Sequence, residues 1–166
     1  MEEKESDNKL IPICRIWNSK NREICFLYDP KIRVTTSRTH ENLYWDPKFL
    51  FNGKLAIGSQ IGWASCDNLY NFIEIFFNDP VVANILYLTG TENCTYPPTS
   101  FEILASNDSI NYDLLRAVKN VEWKSFEDKS FQFQNTKKYR YYQINLVTSN
   151  SSVFALAELN LGYVET

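Results

Sequence analysis

Six stretches between Trp63 and Gly162 decide the fold. They read Trp63-Ala64-Ser65, Asn71-Phe72-Ile73-Glu74-Ile75, Pro98-Thr99-Ser100-Phe101-Glu102-Ile103, Ser106-Asn107-Asp108, Tyr139-Arg140-Tyr141-Tyr142-Gln143-Ile144 and Ala155-Leu156-Ala157-Glu158-Leu159. Side chains of a strand point alternately to two faces, so an apolar residue at every second position marks a half-buried strand. Ile73, Ile75 and Phe77 share one face. Phe101, Ile103 and Ala105 share another, as do Tyr142, Ile144 and Leu146. Ala155, Ala157, Leu159 and Leu161 read as one closing strand, and Trp63 as a core residue. Ile85-Leu86-Tyr87-Leu88 is a short, nearly continuous apolar run, and Leu114–Val118 and Phe131–Phe133 supply two more strands. Asn107-Asp108 reads as a turn, because both side chains substitute for backbone partners and tolerate left-handed geometry. No segment carries the i, i+3, i+4, i+7 stripe of a helix. The pattern predicts an all-β, antiparallel sandwich or barrel.

The chain of 166 residues is long enough for one domain with a real core. Residues 1–9 form a charge-dense polar tail, expected to be disordered, and residues 10–166 a single domain with no internal repeat. The few Gly and Pro residues cluster where turns are expected: Asp29-Pro30, Asp46-Pro47, Asn52-Gly53, Asp79-Pro80 and Pro97-Pro98. A net charge of −3 gives no electrostatic reason for nucleic acid as a partner. No apolar run reaches membrane-spanning length. Met1–Asp7 is charged where a signal peptide needs an apolar segment, so the reading favours an intracellular location. The location is extracellular if the chain is a trimmed piece of a secreted one. The four cysteines, Cys14, Cys25, Cys66 and Cys94, lack CxxC spacing, which argues against a zinc site and for reduced thiols. The sequons at Asn93, Asn107 and Asn150 pull toward secretion, but Asn is abundant enough for chance matches.

The ordered set of strands over residues 24–164 resembles the discoidin (coagulation factor 5/8 type C) family. Phe72-Ile73-Glu74-Ile75-Phe76, the run Pro98–Asp108 and Ala155–Gly162 carry the likeness. The resemblance implies a galactose-binding-domain-like jelly roll that binds through loops at one end and does no catalysis. It also implies a structural calcium site, for which Glu158 and Asn52 are the matching positions. Lys54 replaces a second acidic position, and an ammonium beside a hard cation argues against binding. Thr89-Gly90-Thr91 stands where galactose-binding relatives carry an Arg. That departure counts against simple galactose recognition. The terminal disulfide of many extracellular relatives has no Cys near the C-terminus to form it.

His40 is the only histidine, and no G-x-S-x-G elbow accompanies it, so a hydrolytic triad is not expected. Glu74, Asp79 and Glu102 read as surface carboxylates, and Arg140 among tyrosines as ordinary sheet packing. The candidate ligand site is a pair of loops, Arg33–Phe49 and Gly90–Pro97. They carry Arg38, His40, Tyr44, Trp45, Glu92, Asn93 and Tyr96. Aromatic rings there stack on sugars or anchor proteins, while Arg, Asn and Glu fix hydroxyls or peptide groups. Tyr44 and Trp45 could equally cap the core. The expected function is a non-catalytic, lectin-like module for a carbohydrate or a protein partner. The alternatives are an intracellular adaptor of the ubiquitin-ligase or ciliary-transport type, or a phospholipid-binding module. The last is less favoured, since no apolar loop tip stands out.

Overall fold

A computed structural model describes residues 33–37, 39, 50, 62–67 and 70–164, with the backbone of 16–19 and 22–26. The proposed tail lies outside these residues. Sheet A contains β3 (Arg33–Thr36), β5 (Asn71–Val81), β10 (Tyr139–Ser149), β7 (Pro98–Ser106) and β8 (Asp113–Val118), in that spatial order. Sheet B contains β1 (Ile16–Ser19), β2 (Arg22–Phe26), β12 (Glu158–Tyr163), β6 (Ile85–Thr89) and β9 (Asp128–Gln132). A two-stranded ribbon joins β4 (Trp63–Ala64) to β11 (Ala155–Leu156). Every described pairing is antiparallel. The expected antiparallel jelly-roll sandwich is what these residues form.

The predicted inward faces make the core. Ile73, Ile75 and Phe77 of β5, Phe101 and Ile103 of β7, and Tyr142, Ile144 and Leu146 of β10 are buried from sheet A. Leu86 and Leu88 of β6, Leu159 and Leu161 of β12 and Phe131 of β9 meet them from sheet B. Phe101 and Phe131 contact edge to face across the layers, centroids 5.0 Å apart. The uninterrupted apolar run of β6 has its physical reason: Ile85, Tyr87 and Thr89, on the other face, are buried as well.

Four expectations are corrected. The closing strand is two strands. It breaks at Ala157, whose N–H bonds to Thr89 O (2.9 Å), so β11 can pair with β4 while β12 joins β6. Asp79-Pro80 is no turn but lies inside β5. Proline fits because the described β3 ladder stops at Arg33↔Phe76, so no ladder donor is needed there on that side. Pro98 opens β7, a position where a missing N–H is tolerated. Arg33–Thr36, assigned to the first binding loop, is strand β3, as the β-branched run Val34-Thr35-Thr36 favours.

The Ser106–Asn111 turn forms as expected. Ser106 Oγ accepts from Asp108 N–H (3.1 Å) and Ser109 N–H (2.9 Å). The N–H groups of Asn111 and Ile110 donate to Asp108 Oδ1 and hold its carboxyl well below the usual range.

Candidate functional site

Three connections converge at one end of the sandwich: Gly90–Pro97 between β6 and β7, 119–127 between β8 and β9, and 150–154 between β10 and β11. Gly90–Pro97 is tied by main-chain bonds to 119–127 on one side and to Asn150 and Ala155 on the other. Gly90 N–H donates to Glu127 O (2.8 Å) and Phe126 N–H to Thr91 O (3.0 Å) on one side. Asn150 N–H donates to Thr95 O (3.2 Å) and Ala155 N–H to Tyr96 O (3.0 Å) on the other. The Trp123 indole adds a bond to Pro98 O (2.8 Å) and packs over Gly90, where a Cβ would stand 3.0 Å from the ring. Glycine suits this close approach, since a Cβ would make the ring and Pro97 give by a few tenths of an ångström. Backbone ties of this kind fix loop geometry before any ligand arrives.

Inside the Gly90–Pro97 loop, Asn93 Oδ1 accepts from Thr95 N–H (2.9 Å) and Thr95 Oγ1 (2.7 Å), and Thr91 Oγ1 donates to Asn93 O (2.8 Å). The Asn93 carbonyl group therefore shapes the turn. Glu92 and Asn93 are exposed and Tyr96 is half-buried. These three predicted residues stand on one short loop.

The stem of the other predicted loop leaves at the same end. Ser37 N–H bonds to Phe72 O (3.0 Å), and Thr39 bridges Ser65. Trp63, fully buried, donates its indole N–H to Thr39 Oγ1 (3.1 Å), and Phe154 N–H reaches Ser65 Oγ (2.9 Å). Trp63 is thus core, as expected, and also anchors this stem. Arg38, His40, Tyr44 and Trp45 lie outside the described residues, as does Asn52.

Glu158 is buried at the top of β12, in register with Thr89, whose hydroxyl donates to Asp128 Oδ1 (2.7 Å). Calcium takes six to eight oxygens. Among the described residues no three His, Cys, Asp or Glu side chains gather where a metal could sit.

Of the three carboxylates read as surface groups, Asp79 is exposed, while Glu74 and Glu102 are engaged by side chains of sheet A and of Tyr112. Glu74 accepts from the Tyr112 hydroxyl and from Gln143 Nε2 (3.2 Å), and Glu102 from Asn145 Nδ2 (3.0 Å). Burial, then the Glu74 contact, pushes the Tyr112 phenol upward. Sequence reasoning missed the 119–127 loop. Its signal was weak: Lys119-Asn120 is a turn-prone pair, and Asn120 and Phe126 both adopt left-handed backbone (φ 59° and 57°).

No protein-family model and no curated protein matches the chain. Solved structures do. A Clostridium perfringens domain, CpGH89CBM32-5, in complex with GalNAc-β-1,3-galactose, superposes with TM-score 0.65 at 18% identity, over 78% of this chain and 94% of that one. The F5/8 type C domain of a Bacteroides fragilis protein gives TM-score 0.72 at 13% identity, over 86% and 98%. A fucolectin from striped bass (Morone saxatilis) serum gives 0.65 at 12%, over 80% of this chain and 47% of that one. The chain therefore has the discoidin-like, galactose-binding-domain-like jelly-roll fold.

Proposed function

We propose that the protein is a non-catalytic carbohydrate-binding module whose ligand site is the three-loop end of the sandwich. The observation that supports this most is the pinning of Gly90–Pro97 between two other loops by four main-chain bonds. A rigid double sheet thereby presents Glu92, Asn93 and Tyr96 together. A ring face there stacks on the apolar face of a sugar, while a carboxylate and an amide orient its hydroxyls. Little ordering entropy is lost on binding, because the loop is already held. Carbohydrate-bound and lectin structures among those sharing the fold agree with this reading.

The test is a glycan array followed by calorimetry on the best binder, with Tyr96→Ala and Glu92→Gln compared with the parent chain. Loss of about tenfold or more in affinity for either variant, at unchanged melting temperature, is expected. Unchanged affinity in both would place the site elsewhere. A chain that ignores all glycans yet captures one stoichiometric protein would make it an adaptor instead.

A further inference from the structure

The flank beside the candidate site is a polar groove of about 530 Å³ between the edge strands β8 and β9, walled by the 119–127 loop. Arg116, Lys119, Lys124 and Lys129 line it, against Glu122 and Glu127. Four cations to two carboxylates is a local excess of +2 on a chain of net charge −3. Glu127 is already committed. Its Oε1 accepts from Lys124 N–H (2.9 Å), its Oε2 lies 3.4 Å from Lys129 Nζ, and these contacts hold its carboxyl below the usual range. Among the described residues, Lys119 and Lys124 have no carboxylate in ion-pair range. The loop that carries them is built rigidly, with two left-handed non-glycine residues at its ends and Val121 N–H bonded to Thr99 O (3.0 Å). Asn adopts that backbone readily, whereas a bulky Phe126 does so only where its surroundings hold it.

The occupant follows from charge and from the edges. Arg116 Nη1 donates to Gln132 O (2.7 Å), tying β8 to the carbonyl edge of β9, and β8 carries a register shift opposite Ile103/Leu104. Both devices oppose addition of an extended peptide strand. What remains is capture of a discrete anionic group by long cationic side chains. The 119–127 loop is bonded to Gly90–Pro97, so the groove continues the end surface sideways. We infer that this groove holds an anionic sugar unit, a uronate or a sulfate ester, next to the unit bound at the loops. The proposal deepens the carbohydrate reading and rests on it: the preferred ligand is an acidic polysaccharide.

Affinity gel electrophoresis at low and moderate salt tests it, with polygalacturonate, dextran sulfate, neutral galactan and poly-L-glutamate in separate gels. Lys119 and Lys124 are exposed, so the double variant Lys119→Gln/Lys124→Gln keeps the fold. Lys137→Gln/Lys138→Gln, at the opposite end, is the charge-matched control. The expected result is retardation by polygalacturonate or dextran sulfate that weakens about tenfold in the first double variant and stays in the second. The polymer that responds identifies the anion. Equal loss in both variants, or equal retardation by poly-L-glutamate, reduces the effect to bulk charge and overturns the proposal. Galactan binding that Tyr96→Ala abolishes, with no response to either polyanion, overturns the groove while leaving the carbohydrate reading standing. Indifference to every polysaccharide overturns both.

Discussion

Replacing Tyr142 by Phe isolates one hydroxyl at the end of the sandwich opposite the candidate site. Tyr142 is fully buried, and its ring contacts with Phe77 (6.0 Å) and Tyr139 (5.8 Å) survive the change. Its hydroxyl donates to Val81 O (2.6 Å) and accepts from Ala83 N–H (3.0 Å) and Asn135 Nδ2 (3.3 Å). Phe leaves the N–H of fully buried Ala83 without that acceptor, which costs about 1–3 kcal/mol near neutral pH. The pH dependence is more telling. Burial pushes the Tyr142 phenol up from 10.0 to about 12. A raised native pKa means that the unfolded chain loses its proton first. The hydroxyl's contribution is therefore complete below about pH 10 and is lost as pH climbs to about 12. Two pKa units at about 1.36 kcal/mol each amount to roughly 2.7 kcal/mol.

Tyr142→Phe has no such proton to lose. Tyr139, also pushed up to about 12 by burial and then by its bond to Asp113, remains in both proteins and cancels in the difference. The stability gap between parent and variant should therefore be largest at neutral pH and close across the alkaline window. Urea unfolding followed by tryptophan fluorescence at about pH 7, 9, 10.5 and 11.5 measures it, with ionic strength held constant. A gap that stays constant to pH 11.5, or widens, would refute the claim that burial keeps this hydroxyl protonated.

Gly62 has φ +109°, and a Cβ there would meet Leu156 O at 2.1 Å and Ala157 Cα at 2.8 Å. Gly62→Ala should cost more than about 3 kcal/mol and lower the melting temperature by roughly 6–12 °C, and an unchanged melt would contradict this close approach. At Gly90 the obstacles are the side chains of Trp123 (3.0 Å) and Pro97 (3.1 Å), which can give a little. Gly90→Ala should cost only about 1 kcal/mol, shift tryptophan emission and weaken glycan binding; full affinity beside a normal loss of stability would detach loop geometry from recognition. Calcium at millimolar level, or a chelator, should move the melting temperature by less than about 1 °C. An ion at 100 times its Kd would add about 2.7 kcal/mol, so a shift of several degrees would show that residues beyond Glu158 complete a site.

The sandwich was legible because burial on one face writes itself into alternation. Ile73/Ile75/Phe77 and Tyr142/Ile144/Leu146 face the core as the period-two reading requires. Breaks in that reading came where pairing partners, not hydrophobicity, set the strand limits. Nothing in Ala155–Leu161 announces that the chain changes sheets at Ala157, since both partners want small or apolar residues. Pro80 reads as a breaker unless the end of the β3 ladder is known.

The site was half legible for a related reason. Glu92, Asn93 and Tyr96 stood out as polar and aromatic residues between two clear strands. Lys119–Lys129 looks like solvated surface, because what organises it is long-range: Trp123 bonded to Pro98, Phe126 to Thr91 and Glu127 to Gly90. Those same bonds make the two loops one surface. A displacement of Trp123 must reach Gly90 and Pro97, and through them Tyr96. Recognition at the loop end and charge capture in the groove are therefore expected to rise and fall together when Trp123 is altered, and separately when only Lys119 and Lys124 are.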